Sequence, residues 1–162
     1  LSFCRNIFNC NWYISYKFFK KEMNMFTKII EPRFSETDAL GHINNNVYSV
    51  WFEVARRDIF KAFNPNFSID KLDLIMAHIS CDFLNEVFYG KDVVIKTAIS
   101  KIGNSSFDVT QALYQENKLC TLGKAVVVHY DHNEKKSLKL EAEKREFLEK
   151  NLFLDTWKKS LD

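Results

Sequence analysis

Between Val47 and Phe63 the chain sets Tyr48, Phe52, Ala55, Ile59 and Phe63 at spacings of three and four, and Val47, Trp51 and Val54 widen the stripe. That period predicts an α-helix, apolar over so much of its circumference that it must be heavily buried. Asn44 or Asn45 is expected to cap its start, accepting a bond from a free first-turn N–H. Asn64-Pro65-Asn66 ends it, because proline disfavours α geometry at the residue before it. A single helix of this kind needs a sheet wrapped around it.

The remaining pattern supplies that sheet. Residues 26–34 read as a short strand, with Pro32 late in it as at an edge or strand end. Strand-like runs follow the helix at 74–88, 92–101, 106–115 and 119–130. In the third, Phe107, Val109, Gln111 and Leu113 alternate with Asp108, Thr110, Ala112 and Tyr114. Residues 85–89, Gly103-Asn104 and Glu116-Asn117 supply turns. Residues 131–139 are polar, and 140–160 read as a closing helix with Phe147, Leu148, Leu152, Leu154, Trp157 and Leu161 as its apolar set.

A chain of 162 residues with 46% apolar and 27% charged residues is the size and make-up of one soluble domain. Its net charge of +2 is too balanced for nucleic acid to be the main partner. No apolar run approaches the ~20 residues of a membrane span. The four cysteines, at 4, 10, 81 and 120, show neither CxxC pairing nor zinc spacing, and are read as free thiols in a reducing, cytoplasmic setting. No metal or cofactor is expected.

Residues 1–24 differ from the rest. They hold seven of the 24 aromatics, and Arg5, Lys17, Lys20 and Lys21 against Glu22 give the segment +3. An unbroken apolar stretch and a small-residue cleavage site are both missing, which argues against a signal peptide. Two readings remain for this extension: sequence upstream of a start at Met23 or Met25, which is favoured, or a native extension that packs on the domain at 25–162.

The chemistry concentrates where the loop meets the helix, in Ser35-Glu36-Thr37-Asp38-Ala39-Leu40-Gly41-His42-Ile43-Asn44-Asn45-Asn46. First-turn N–H groups lack intrahelical partners and carry the positive end of the helix dipole. A carboxylate beside such donors can attack a carbonyl or activate water while the N–H groups hold the developing oxyanion. Gly41 would let backbone and ligand approach closely. The plainer reading of the same residues is a turn in which Asp38 caps locally. Spacing alone leaves both open.

Residues 34–56 (FSETDALGHINNNVYSVWFEVAR) resemble the signature of the 4-hydroxybenzoyl-CoA thioesterase-like, hotdog-fold acyl-CoA thioesterases. The matching pieces are D-x-x-G-H-[VI]-N-N, the Tyr four residues after Asn44, and the W-F-E-x-A-R helix. ISCDFLNEVFY at 79–89, GNSSF at 103–107 and GKAVVVHYD at 123–131 resemble the family's later strands and turns, in the right order. The resemblance implies an α+β hotdog fold: an antiparallel five-stranded sheet around one long central helix, with a C-terminal helix. It implies a homodimer or homotetramer, and hydrolysis of an acyl-CoA thioester to free acid and coenzyme A.

Carried over by position, Asp38 matches the catalytic carboxylate of one branch, as nucleophile or as base for water. Asn45 matches the residue whose backbone N–H polarises the thioester carbonyl. Glu53 falls where a second branch keeps its carboxylate; the structural reading, a pair with Arg56 or Arg57, is preferred. Gly41, His42, Asn44 and Tyr48 are expected as site neighbours, with Tyr48 packing on the helix stripe. In His129-Tyr130-Asp131-His132 a continuing strand would point the two histidines to opposite faces, which argues against a metal. Cys81 and Cys120 read as small core residues. Coenzyme A would be held mainly by surface Lys or Arg, across a subunit contact. The alternative function is a hotdog module that binds acyl-CoA or an acyl carrier without hydrolysing it.

Overall fold

The computed structural model describes residues 25–153. The extension at 1–24 and the end of the expected C-terminal helix lie outside the described residues. Strand β1 (Phe26–Ile30) is followed by a 3-10 turn (Phe34–Glu36), helix α1 (Val47–Phe63) and a second 3-10 turn (Ile69–Lys71). Then come β2 (Leu74–Phe83), β3 (Val93–Ile102), β4 (Ser106–Gln115), β5 (Lys118–Asp131), the two-residue β6 (Lys136–Ser137) and helix α2 (Ala142–Lys150).

The strands form one antiparallel sheet in the order β1-β3-β4-β5-β2, with β6 pairing β5. β1 and β2 are its outer strands. This is the hotdog arrangement the resemblance implied, with a sixth, very short strand in the stretch read as merely polar. The β4–β5 hairpin turns through Glu116 and Asn117, both at positive φ (50° and 65°), the two-residue turn that matches strand twist.

α1 lies across the sheet and carries the core in two clusters. Trp51 and Phe52 pack with Val87, Val93, Ile95, Leu113 and Cys120. Further along the helix, Ile59 and Phe63 pack with Ile99, Phe107, Val109, Ala125 and Val127, and Leu148 of α2 closes that end. The closest approach is at Gly123 of β5, where a Cβ would sit 2.6 Å from Cε2 of Phe52. A side chain there would push the helix off the sheet.

Three expectations change. Val54, placed in the buried stripe, is 42% exposed, because the sheet covers one side of α1 and not its whole girth. The run at 74–88 stops as a strand at Phe83: the N–H groups of Leu84 and Asn85 both donate to the Cys120 carbonyl, at 2.8 and 3.0 Å, and the chain turns away. The closing helix stops at Lys150 instead of running on through 151–153, and Phe153 N–H donates to Ile99 O at 2.8 Å, laying the chain along β3. Among the described residues, no helix is long and apolar enough to cross a membrane.

Candidate active site

The loop between β1 and α1 is held from both sides. The Glu36 carbonyl accepts Asn44 N–H at 2.8 Å, and Ile43 N–H donates to Val87 O at 2.8 Å, which docks the loop on the β2–β3 connection. Within it, Asp38 N–H donates to His42 O at 2.8 Å and Gly41 N–H to Asp38 O at 3.2 Å. Gly41 sits at φ +82° with open space where a Cβ would be. The glycine is therefore required by the turn's left-handed backbone rather than by a close approach of other protein atoms.

Asp38 forms the local turn that the plainer reading expected. Oδ1 accepts Leu40 N–H at 2.8 Å and His42 N–H at 3.1 Å, the local capping turn. Oδ2 takes no hydrogen bond among the described residues. The carboxylate is thus fixed by one oxygen and has the other available.

Asn46, rather than Asn44 or Asn45, is the residue that caps α1, and its side chain makes no capping bond. Asn44 does that work from two residues earlier: Oδ1 accepts Asn46 N–H at 3.0 Å and its carbonyl accepts Val47 N–H at 3.0 Å. Asn45 N–H, lying between them, has no acceptor among the described residues. Asp38, His42, Asn44, Asn45 and Tyr48 then line one cleft of about 520 Å³ with Phe83, Asn85 and Glu86.

Tyr48 packs as expected, 4% exposed, edge-on to Phe83 at 5.1 Å between ring centroids. Burial first, then the Cys120 and Asp38 charges, push its phenol up to about 12. His42 rests edge-on against Phe88, ring centroids 5.1 Å apart, with Nε2 3.6 Å from Glu86 Oε1. Glu53 is exposed and does not line the cleft. Its charge acts on Arg56, whose guanidinium is lowered from its usual value mainly by burial. Arg56 Nη1 donates to Gln111 Oε1 at 2.8 Å, beneath the helix.

Glu36 is the residue that sequence reasoning missed. Its side chain is buried, and Oε1 accepts Arg33 Nη2 at 2.8 Å and Trp51 Nε1 at 3.2 Å, while Oε2 accepts Arg33 N–H at 2.8 Å. Burial alone would raise its carboxyl; the bonds from Arg33 and Trp51 outweigh it and hold Glu36 below its usual value. The only sequence signal was a Glu with an Arg three residues before it, which any surface loop can carry.

The two histidines of 129–132 do not converge. His129 is buried, with Nδ1 3.1 Å from Lys139 O and Nε2 3.2 Å from Asp73 Oδ2, which Lys144 of α2 also binds. His132 is exposed against the Tyr130 ring. Among the described residues no three His, Cys, Asp or Glu cluster as metal ligands. Burial pushes the Cys81 and Cys120 thiols up, which disfavours the thiolate a nucleophile needs.

An antiparallel sheet around one long helix, with a carboxylate loop at the helix entrance, defines a hotdog protein of thioesterase type. The chain belongs to the thioesterase-like superfamily, whose family model matches residues 32–150. A solved structure of a predicted thioesterase from Bacillus stearothermophilus is 34% identical, with 82% of this chain and 99% of that one covered and a TM-score of 0.80. A thioesterase from Thermus thermophilus, complexed with coenzyme A and zinc, shares the fold at 21% identity, with 80% and 96% covered and a TM-score of 0.71. The uncharacterized protein YsmA of Bacillus subtilis (strain 168) is 29% identical over 138 residues, 85% of this chain and 88% of that one.

Proposed function

We propose that this protein hydrolyses acyl-coenzyme A thioesters to the free acid and coenzyme A. The observation that carries the reading is that Asp38 and Asn45 line one cleft, and that neither Asp38 Oδ2 nor the Asn45 N–H at the positive end of α1 takes a hydrogen bond among the described residues. The N–H is the kind of preorganised donor that stabilises a thioester oxyanion. Asp38 then acts in one of two ways. As nucleophile it adds to the carbonyl carbon, the C–S bond breaks, thiolate leaves, and water cleaves the resulting anhydride. As base it takes a proton from water, whose oxygen adds instead. Gly41, His42, Asn44 and Tyr48 shape the loop and the cleft wall. The reading goes with a cytoplasmic homodimer or homotetramer.

A panel of thioesters differing in chain length and aromaticity tests this, run on the natural chain and on Asp38→Asn. The substitution keeps the shape and removes the charge. Turnover is expected to fall ~100-fold or more while binding persists. Near-normal turnover in Asp38→Asn removes the assignment. Binding of acyl-CoA with no turnover by the natural chain favours the non-catalytic module.

A further inference from the structure

The two segments that line the cleft also build an exposed aromatic surface beside it. Phe34, four residues before Asp38, is 75% exposed, and Tyr89, two residues after Val87, is 50% exposed. Their rings meet edge to face at 5.8 Å between centroids. Each ring therefore steadies the other while much of their area faces water, an arrangement that leaves a flat aromatic surface open to a stacking ligand. The backbone beneath is fixed by the same bonds that dock the loop on the β2–β3 connection.

Basic residues neighbour the pair in sequence. Arg33 precedes Phe34; its side chain is 73% exposed although Nη2 is held by Glu36. Lys91, two residues beyond Tyr89, is half exposed and pairs with the exposed Glu116 at 2.7 Å. A surface pair of that kind is weak and can be exchanged for a phosphate. Aromatic faces bordered by basic side chains suit a purine ring that carries phosphates.

We propose that Phe34 and Tyr89 form the shelf on which the adenine of coenzyme A stacks, with Lys91 and Arg33 beside its phosphates. This rests on the acyl-CoA reading of the cleft and adds which end of the substrate the protein grips. Phe34 lies at most ~14 Å from Asp38 along the chain, a distance that the pantetheine arm spans. The acyl thioester then reaches Asp38 while the nucleotide is held outside. The shelf thus acts on binding and leaves the bond-breaking step alone.

The test is a Phe34→Ala/Tyr89→Ala double variant assayed with one acyl group on coenzyme A and on pantetheine. For the coenzyme A ester, kcat/KM is expected to fall about tenfold through KM, the loss of one base-stacking contact. For the pantetheine ester it stays unchanged. Calorimetry with adenosine 3′,5′-bisphosphate reads the shelf without any turnover: the natural chain binds it, and the double variant and Lys91→Ala bind it more weakly. Equal losses on both esters, or no loss on either, overturn the shelf, as does nucleotide binding unaltered by the substitutions. Absence of hydrolysis of either ester by the natural chain, with nucleotide binding intact, overturns the hydrolase reading and leaves the shelf standing.

Discussion

The indole N–H of Trp51 donates to Oε1 of Glu36 at 3.2 Å, and through that bond the second turn of α1 is fastened to the loop that carries Asp38. Glu36 is also the residue whose carbonyl holds Asn44. One buried carboxylate therefore fixes the carboxylate loop and the helix entrance relative to each other.

Replacing Glu36 by Gln turns an acceptor that faces only donors into a group that is half donor. The cost is expected to be about 2 kcal/mol of stability, the worth of a charged hydrogen bond. Turnover should drop with it, since Asp38 and Asn45 lose their common anchor. Trp51→Phe keeps an aromatic ring and loses the N–H, for about 1 kcal/mol. Denaturant titration and kcat, measured on both variants, check the order.

The pH limits of stability follow from two shifts. Glu36 is lowered from 4.5 in the fold, so its contribution is full above pH 4.5 and is lost as pH falls through the folded value. Tyr48 is raised from 10.0 to about 12, so the fold favours the neutral phenol and loses stability as pH rises from 10 to about 12. Thermal midpoints followed across pH should show an acid limb that weakens in Glu36→Gln and an alkaline limb that weakens in Tyr48→Phe. Limbs unchanged in those variants assign them to other groups.

Glu53→Gln separates the two carboxylates. The side chain is exposed and outside the cleft lining, so kcat is expected to stay within about twofold of the natural chain. A loss comparable to that of Asp38→Asn returns Glu53 to the chemistry.

Gly123→Ala tests the seating of α1. The new Cβ would lie 2.6 to 3.0 Å from three atoms of the Phe52 ring, which is 1% exposed and has nowhere to go. Overpacking of this kind costs about 1–3 kcal/mol. Adding Phe52→Leu should recover part of it, read as the urea midpoint.

Among the described residues β2 pairs with β5 on one side, and Ile75, Ile79 and Phe83 are exposed on it. Open edges with apolar side chains are normally paired, so light scattering is expected to give at least a dimer mass. Ile79→Lys should shift that mass towards the monomer. A natural chain that is monomeric at micromolar concentration removes the prediction.

What the residues determined by themselves was local and periodic. The spacing of Tyr48, Phe52, Ile59 and Phe63 is a property of one helix, and the alternation around Val109 of one strand, so both were legible. The D-x-x-G-H-I-N-N stretch carried Asp38 and Asn45 because the candidate site is almost continuous in sequence. What the tertiary structure decided was everything set by contacts between distant segments. Val54 has the same side chain as Val109, yet only the sheet's limited width decides which is covered. Val87 reads as strand, but the pull of the Cys120 carbonyl on Leu84 and Asn85 bends the chain before it. Glu36 looked like a surface acid until Trp51, 15 residues away, supplied its partner. Charge and spacing are written along the chain, whereas burial is the property of a surface that exists only once strands and helix meet.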